Sequence, residues 1–321
     1  MTSQQSPGSL LIEARGLTKR YGKTVAVDDL SFDVLPGQVT GFLGPNGAGK
    51  STTLRMILGL DAPTSGSVTI GGRPYAQHRR PLYEVGALLD AKSIHGGRSA
   101  YNHLLSMAQS NGIPRTRVKE VLEVVGLTSV AKKRAGGFSL GMGQRLGIAT
   151  ALLGDPDVLL FDEPVNGLDP EGIVWIRNFM RSLAAEGHTV FVSSHLMTEM
   201  ALTADHLIVI GRGKLIAASS VADFVARSSD NYILVRTQQA DRLIPFLDAA
   251  SSVDQVEAGV LHVSGLECTA IGDIAAAHGI ALHELSPQMA SLEEAFMELT
   301  HDSVDYTADV PMAQLDARKV A

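Results

Sequence analysis

The sequence lacks the features of disulfide-bonded, secreted and membrane-spanning proteins. It has one cysteine in 321 residues, Cys268, which excludes an internal disulfide and a cysteine-cluster metal site. The longest apolar runs, such as 158–161 and 207–210, are far shorter than the roughly 20 residues of a membrane helix. Residues 1–8 are polar and show no secretory signal pattern. We therefore expect a cytoplasmic chain that meets a membrane only through a partner.

An excess of basic charge is also absent. The chain carries 27 lysines and arginines against 34 aspartates and glutamates, which gives a net charge of −7. General nucleic-acid binders present a basic surface, so we expect no nucleic-acid partner. The hydrophobic fraction of 45% and the length are those of a globular protein with one large or two medium domains.

A glycine-rich loop carries the clearest chemistry in the sequence. It lies between an apolar run at 39–43, typical of a buried strand, and residues 54–58, whose types favour a helix. The loop matches G-x-x-x-x-G-K-[ST], whose backbone N–H groups and helix N-terminus bind phosphates. Lys50 is expected to reach the β- and γ-phosphates and Ser51 to ligate Mg²⁺. The predicted ATP-binding residues are Gly44, Pro45, Asn46, Gly47, Ala48, Gly49, Lys50, Ser51 and Thr52.

Two acidic residues follow a second apolar run, 158–161. The run is typical of a buried parallel strand, which delivers side chains to the sheet edge where ligands bind. Asp162 is the expected Mg²⁺ ligand, directly or through water, and Glu163 is expected to orient or deprotonate the attacking water. Two acids at a strand end also occur in simple turns, but the phosphate loop favours the metal site.

Between these two motifs the pattern changes to helices. Helical patterns at 100–110 and 117–125 are separated by the stop signal 111–114, so we predict an inserted helical subdomain within about 90–145. The basic run 132–134 favours a solvated face, with contact to a partner or to lipid head groups as the alternative. Upstream, Tyr21 is either a structural strand-edge aromatic or the flat surface on which a purine base stacks.

Three further segments give the chain its resemblance to a known family. They are FSLGMGQR at 138–145, GLDP at 167–170 and SSH at 193–195. In this order, with the phosphate loop and the acidic strand, they resemble the signature, D-loop and switch histidine of ABC transporter nucleotide-binding subunits. The resemblance covers roughly residues 10–220. A P-loop kinase would share the phosphate loop but not Ser139, Asp169 and His195.

The resemblance implies an α/β fold, a P-loop NTPase with an antiparallel β subdomain, a helical insert and a small C-terminal α+β domain. It implies ATP hydrolysis with Mg²⁺ in a dimer, in which each ATP lies between the phosphate loop of one copy and the signature of the other. Ser139 and Gly141 would then face the γ-phosphate held by the opposite Lys50. His195 would contact the γ-phosphate of its own site, and Asp169 would cross the dimer interface.

The family also implies partners and a location. A second ATPase subunit, identical or different, and a separate polytopic transmembrane permease are expected, with the chain peripheral on the inner face of the cell membrane. A soluble ABC ATPase acting on ribosomes or DNA is the alternative, but such proteins usually carry two cassettes or long coiled-coil insertions.

The chain departs from the family pattern at two places. Leu140 and Met142 occupy positions where the common signature, L-S-G-G-Q, has glycine and glutamine, and Gln144 is not the signature glutamine. Asp90 stands where a glutamine usually joins the Mg²⁺ site to the permease, and a carboxylate also suits a hard cation. Both departures resemble drug-resistance and bacitracin-type exporter ATPases, which implies export of a drug, an antibiotic or a lipid. If Leu140 and Met142 disabled hydrolysis, the chain would be an ATP sensor.

Beyond the cassette, assigned to 9–222, we predict an accessory α+β domain of ferredoxin-like type over 230–300. Its predicted elements include a helix at 240–249, a strand at 280–285 and a final helix at 292–300 capped by Ser291. A regulatory or dimer-stabilising role is our hypothesis for it. Residues 1–8 and 301–321 are expected to be mobile.

Overall fold

The computed structural model describes residues 10–90, 94–228 and 230–300. The predicted mobile segments 1–8 and 301–321 lie outside them. The strands are β1 (Ile12–Tyr21), β2 (Thr24–Val34), β3 (Val39–Leu43), β4 (Ser65–Ile70), β5 (Val85–Leu88), β6 (Val158–Asp162), β7 (Thr189–Ser193), β8 (His206–Gly211), β9 (Lys214–Ser220), β10 (Tyr232–Arg236), β11 (Ser252–Glu257), β12 (Val260–Ser264) and β13 (Glu284–Gln288). The helices are α1 (Lys50–Ile57), α2 (Pro81–Glu84), α3 (Ala100–Ser110), α4 (Arg115–Val124), α5 (Leu140–Ala151), α6 (Pro170–Ala185), α7 (Met197–Thr203), α8 (Val221–Ala226), α9 (Ala240–Leu243), α10 (Cys268–Ala277) and α11 (Leu292–Thr300).

These elements form two compact units. The first contains the described residues up to His195 together with Thr203–Ala218 and residues 299–300, and the second contains Leu196–Leu202 and Ser219–Glu298. The domain limits predicted from the sequence, 9–222 and 230–300, stay predictions.

The first unit is built on a six-stranded sheet with the order β5-β6-β7-β3-β8-β9. Strands β5, β6, β7, β3 and β8 pair in parallel. β3 and β7 are buried along their whole length, as expected for strands covered on both faces. Because β6, β7 and β3 are neighbours, their carboxyl ends meet at one edge of the sheet. The register places Asp162 beside Ser193 there and Phe42 beside the same serine.

A second, antiparallel sheet has the order β2-β1-β4. Aromatic rings join it to the parallel sheet: Phe32 on β2 lies 5.9 Å from Phe42 and 5.8 Å from Phe191, measured between ring centroids. All three side chains are buried. This packing confirms the antiparallel β subdomain. β1 continues to Tyr21, which is its last residue.

The predicted helices of the insert are present. α3 begins after Ser99, whose hydroxyl accepts a hydrogen bond from the Asn102 N–H at 3.2 Å, and Leu104 and Ala108 face the interior. α4 starts two residues before the predicted boundary and buries Val118 and Leu122. α5 follows the loop after this pair and leads into the strand that carries Asp162.

The second unit contains a four-stranded antiparallel sheet with the order β11-β12-β10-β13. Alternate residues of β10 and β12 point into its core: Ile233, Val235, Leu261 and Val263 pack with Ile271 of α10. The alternation is that of a sheet with one buried face. The final helix has the predicted cap, because the Glu294 N–H donates to Ser291 Oγ at 3.1 Å and the Ser291 N–H donates to Glu294 Oε2 at 2.7 Å.

Two predicted elements of this unit are wrong. The strand predicted at 280–285 is β13, which begins at Glu284, because Ile280 belongs to the end of α10. The Ile280 N–H donates to Ala275 O and the Gly279 N–H to Ala276 O, with Gly279 at φ +62°, the pattern that closes a helix through a left-handed glycine. The helix predicted at 240–249 ends at Leu243, since Pro245 follows and cannot continue the bonding.

Candidate nucleotide-binding site

The loop between β3 and α1 has the backbone that phosphate binding requires. Gly47 and Gly49 adopt positive φ values of +81° and +104°, which disfavour any residue with a Cβ. A Cβ on Gly49 would lie 2.4 Å from the carbonyl oxygen of Ala26, whereas one on Gly47 would meet nothing within 4 Å. Gly49 therefore lets the loop pass close to β2. Gly47 itself lines the cleft above the loop.

A cleft of about 350 Å³ opens above this loop. Its lining includes Asn46, Gly47, Lys50, Asp162 and Glu163. The structure thus brings the phosphate loop and the acidic strand end to one cavity, as the sequence predicts.

Lys50, the first residue of α1, is largely buried in the wall of the cleft. Its ammonium donates to the carbonyl oxygens of Gly44 at 2.5 Å and Pro45 at 3.2 Å. Burial lowers the pKa of Lys50, and the negative charges of Glu163 and Asp162 act in the opposite direction. A cation held by carbonyl dipoles in the wall of a cleft is suited to exchange these contacts for phosphate oxygens.

Asp162 lies at the end of β6 between two hydroxyl groups. Ser51 Oγ donates to its Oδ2 at 2.8 Å, and Ser193 Oγ donates to its Oδ1. A serine hydroxyl beside a carboxylate supplies hard oxygen ligands of the type that Mg²⁺ prefers, with phosphate oxygens and water completing the set. The pair therefore fits Mg²⁺. The described part of the chain has no group of three or more His, Cys, Asp or Glu residues for a protein-only metal site.

Glu163 has a backbone conformation that is unusual for a non-glycine residue, with φ at +51°. Such a conformation costs about 1–3 kcal/mol and is often found at functional sites. Its carboxylate Oε2 lies 2.7 Å from His195 Nδ1 and accepts a second bond from the His195 N–H at 3.4 Å. A carboxylate held by an imidazole at the mouth of the cleft is placed to orient a water molecule.

Two predicted ligands lie outside this cleft. Tyr21, at the end of β1, is 48% exposed, and its hydroxyl donates to Asp61 Oδ2 at 2.9 Å. Asp61 also forms an ion pair with Arg55 at 2.8 Å. Asp90 lines a neighbouring groove of about 360 Å³ with Ile94 and His103. The adjacent residue, Leu89, lines both this groove and the phosphate cleft.

The signature and D-loop residues also lie apart from the chain's own phosphate cleft. Ser139 lines a separate cavity of about 330 Å³, and its hydroxyl caps α5 by accepting from the Met142 N–H at 3.2 Å. Gly141 lies against Gly167, since a Cβ there would come within 2.9 Å of the Gly167 carbonyl oxygen. Asp169 Oδ1 caps α6 by accepting from the Gly172 N–H at 3.0 Å. Within one chain these residues form a surface distinct from the phosphate site.

Two supporting residues were not predicted. Ser193 bonds both Asp162 and Glu163, because its Oγ also accepts from the Glu163 N–H at 3.2 Å. Gln144 donates to the Glu163 carbonyl oxygen at 3.0 Å. No feature of the sequence distinguishes Gln144 from the other polar residues of α5, Arg145 and Thr150. In the parts of the chain that the structure describes, no helix is long and apolar enough to cross a membrane.

Comparison with known proteins agrees with this geometry. Residues 27–166 match the family model for ABC transporter, and residues 231–293 match a domain of unknown function (DUF8746). The solved structure of an ATP-binding subunit of an ABC transporter superposes with a TM-score of 0.60 at 26% identity, covering 68% of this chain and 92% of that one.

Two curated relatives match nearly the whole chain. An uncharacterized ABC transporter ATP-binding protein of Bacillus subtilis, YhcH, is 36% identical over 91% of this chain and 97% of its own length. The bacitracin transport ATP-binding protein BcrA of Bacillus licheniformis shows the same identity and coverage. The chain therefore belongs to the ABC transporter ATP-binding proteins, the ATPase subunits that power ABC transporters.

Proposed function

We propose that the cleft above the phosphate loop is the ATP hydrolysis site and that this chain uses it to drive antibiotic export. The convergence of Lys50, Ser51, Asp162, Glu163 and His195 at one sheet edge carries the proposal. The glycine loop and Lys50 bind the β- and γ-phosphates. Ser51 and Asp162 hold Mg²⁺, which neutralises charge on the phosphate oxygens when bound.

Glu163 acts as the general base or water-orienting group, and His195 holds its carboxylate. The 2.7 Å contact of His195 Nδ1 fixes Oε2, which leaves Oε1 for a water molecule above the γ-phosphate. The imidazole is half exposed at the mouth of the cleft and is placed to reach the γ-phosphate as well. Tyr21 offers an exposed ring to the adenine base, with its hydroxyl tethered to Asp61.

Hydrolysis takes place in a dimer of cassettes. The separation of Ser139 and Gly141 from the phosphate cleft of the same chain supports this arrangement. The N-terminus of their helix carries the positive end of the helix dipole, which suits an anion, so it serves the ATP bound by a second cassette. Asp169, on the neighbouring surface, then faces the partner cassette.

A transmembrane permease docks on the groove that contains Asp90. The groove is lined mainly by apolar side chains, among them Leu82, Ile94 and Met107. Burial lowers the pKa of His103 on its wall, as expected for a surface that prefers apolar contact. The groove adjoins the Mg²⁺ site through Leu89 and Asp90, so a docked segment would sense the nucleotide. This docking would place the chain peripherally on the inner face of the cell membrane.

The relatives support the class of cargo. BcrA is named for bacitracin transport and matches this chain over nearly its whole length, including the second unit. We infer a peptide antibiotic or a similarly amphipathic compound as the exported molecule.

Purification of the tagged chain from its native cells in mild detergent tests the proposal. We expect a polytopic membrane protein in stoichiometric amount, both with the wild-type chain and with Lys50→Ala, which removes phosphate binding but leaves the docking groove intact. Cells without the chain should become sensitive to bacitracin-like peptides, and the wild type but not Lys50→Ala should restore growth. Recovery of the chain from the soluble fraction alone, or with ribosomes, would contradict the transporter assignment.

A further inference from the structure

Gln144 lies in α5 and is almost fully buried, with 4% of its surface exposed. A buried amide is costly unless it forms hydrogen bonds. Its Nε2 donates to the carbonyl oxygen of Glu163 at 3.0 Å, across 19 positions of sequence. The bond joins the helix that begins after Ser139 to the strand end that carries the proposed general base.

The backbone of Glu163 is held on both sides. Its N–H donates to Ser193 O and Ser193 Oγ, each at 3.2 Å, and its carbonyl oxygen accepts from the Asn166 N–H at 3.2 Å and from Gln144. A non-glycine residue in the left-handed region persists only where its surroundings fix it. The Gln144 bond fixes the direction of the carbonyl group, and therefore the ψ angle that sets where the Glu163 side chain points.

We propose that Gln144 is a positioning residue for hydrolysis: its amide holds Glu163 in the left-handed conformation that aims the carboxylate into the phosphate cleft. This inference rests on the proposed role of Glu163. If this is so, α5 supports Glu163 in addition to carrying the signature residues at its start. Ser139 and Gln144 are five positions apart, about 7.5 Å along a helix, so one rigid segment connects the signature surface to the base of the same chain.

The role predicts a separation of kcat from KM. Gln144→Met keeps the length of the side chain and removes the donor, so Glu163 should sample other orientations while ATP binds as before. We expect kcat of the full-length chain, assayed with the permease that co-purifies, to fall about tenfold, since misplacing a catalytic group by about 1 Å costs up to 100-fold. KM for ATP should stay within about twofold.

Thr189→Val is the matched control. Thr189, at the start of β7, is fully buried, and its hydroxyl donates to Leu10 O at 2.5 Å. The control therefore also loses one buried hydrogen bond, but one that does not involve Glu163, and it should keep the wild-type kcat. Equal kcat values for Gln144→Met and Thr189→Val would overturn the proposal, as would a loss of kcat with a matching rise in KM.

A double-mutant cycle distinguishes positioning from general support of the fold. Single-turnover hydrolysis is measured for Glu163→Gln, Gln144→Met and the double variant. If Gln144 acts through the Glu163 carboxylate, the double variant hydrolyses ATP as slowly as Glu163→Gln alone. If the double variant instead shows the product of the two single fold-losses in rate, Gln144 acts independently of the Glu163 carboxylate, and the proposal is overturned.

Two further results separate this inference from the proposed function. If Glu163→Gln keeps the wild-type kcat, Glu163 is not the base and the proposed function is refuted. If Glu163→Gln lowers kcat but Gln144→Met does not, only the positioning role of Gln144 is refuted. If Gln144→Met does not fold, Gln144→Glu, which keeps the shape and replaces the donor by an acceptor, takes its place. Failure of both variants to fold would assign Gln144 to stability and overturn the positioning role.

Discussion

Replacing Gly49 by alanine tests whether the phosphate loop needs its close approach to β2. The substitution places a Cβ 2.4 Å from the Ala26 carbonyl oxygen, at a φ of +104°. Ala26 lies in β2, and the residues on either side of it, Val25 and Val27, pair with β1. The Ala26 carbonyl group therefore cannot move away without breaking the pairing of β1 and β2. The left-handed conformation costs an L-residue about 1–2 kcal/mol, and overpacking against fixed atoms adds about 1–3 kcal/mol.

Gly72→Ala is the matched control, because Gly72 has a positive φ of +75° and nothing within 4 Å of its added Cβ. We expect Gly49→Ala to lower the free energy of unfolding by about 2–5 kcal/mol and Gly72→Ala by about 1–2 kcal/mol. The one tryptophan, Trp175, lies in α6 of the first unit, so its fluorescence during urea unfolding without nucleotide reports on this unit. Equal losses in the two variants would refute the steric argument.

Three further perturbations have defined outcomes. Glu163→Gln should lower kcat for ATP about 100- to 10,000-fold with little change in KM, as measured by phosphate release. Glutamine has the shape of glutamate but cannot act as a general base. A kcat within tenfold of the wild type would contradict this role. Tyr21→Ala should raise KM for ATP about tenfold and leave kcat unchanged, since base stacking contributes about 1–3 kcal/mol; Tyr21→Phe, which loses only the bond to Asp61, should change KM less. Hydrogen bonds from the Ser291 backbone and hydroxyl lower the pKa of Glu294, so its stabilisation of α11 is present above the unfolded pKa and is lost as pH falls through the folded value. Glu294→Gln should therefore speed amide exchange in α11 at pH 7 and make progressively less difference as pH falls through the folded pKa of Glu294, and a difference independent of pH would exclude the ionised cap.

The parts of the site that follow from local chemistry could be predicted from the sequence. A strand, a glycine loop and a lysine specify their own geometry, because each bond to phosphate uses the backbone or a neighbouring side chain. Asp162 was predictable for a related reason, since an acid at the end of an apolar strand reaches the ligand edge of a parallel sheet. The phosphate loop and Asp162 line one cleft in the structure.

Contacts between distant segments could not be predicted in this way. The Gln144 bond to Glu163 depends on how α5 packs on the sheet, and no periodicity in the helix indicates it. The wrong strand prediction at Ile280 concerns a local feature rather than a distant contact. Ile280 was assigned to a strand because it is apolar, although Gly279 before it is typical of a helix end. Here the local rule was available, and the apolar run outweighed it.

The departure of the signature from its common form also has a structural explanation. Leu140 is 53% exposed, and its side chain lies over Gly167, where an added Cβ would come within 2.3 Å of Leu140 Cδ2. Gly167 also has a φ of +76°, so both its conformation and its missing side chain accommodate the leucine. Leu140 and Gly167 thus form a matched pair that joins the start of α5 to the loop before Asp169. Because Ser139 caps α5 and Gly141 approaches Gly167 closely, the leucine fits the surface without displacing the groups that we propose to contact the ATP of a second cassette. The substitution is therefore compatible with an active signature, which favours the ATPase over an ATP sensor without hydrolysis.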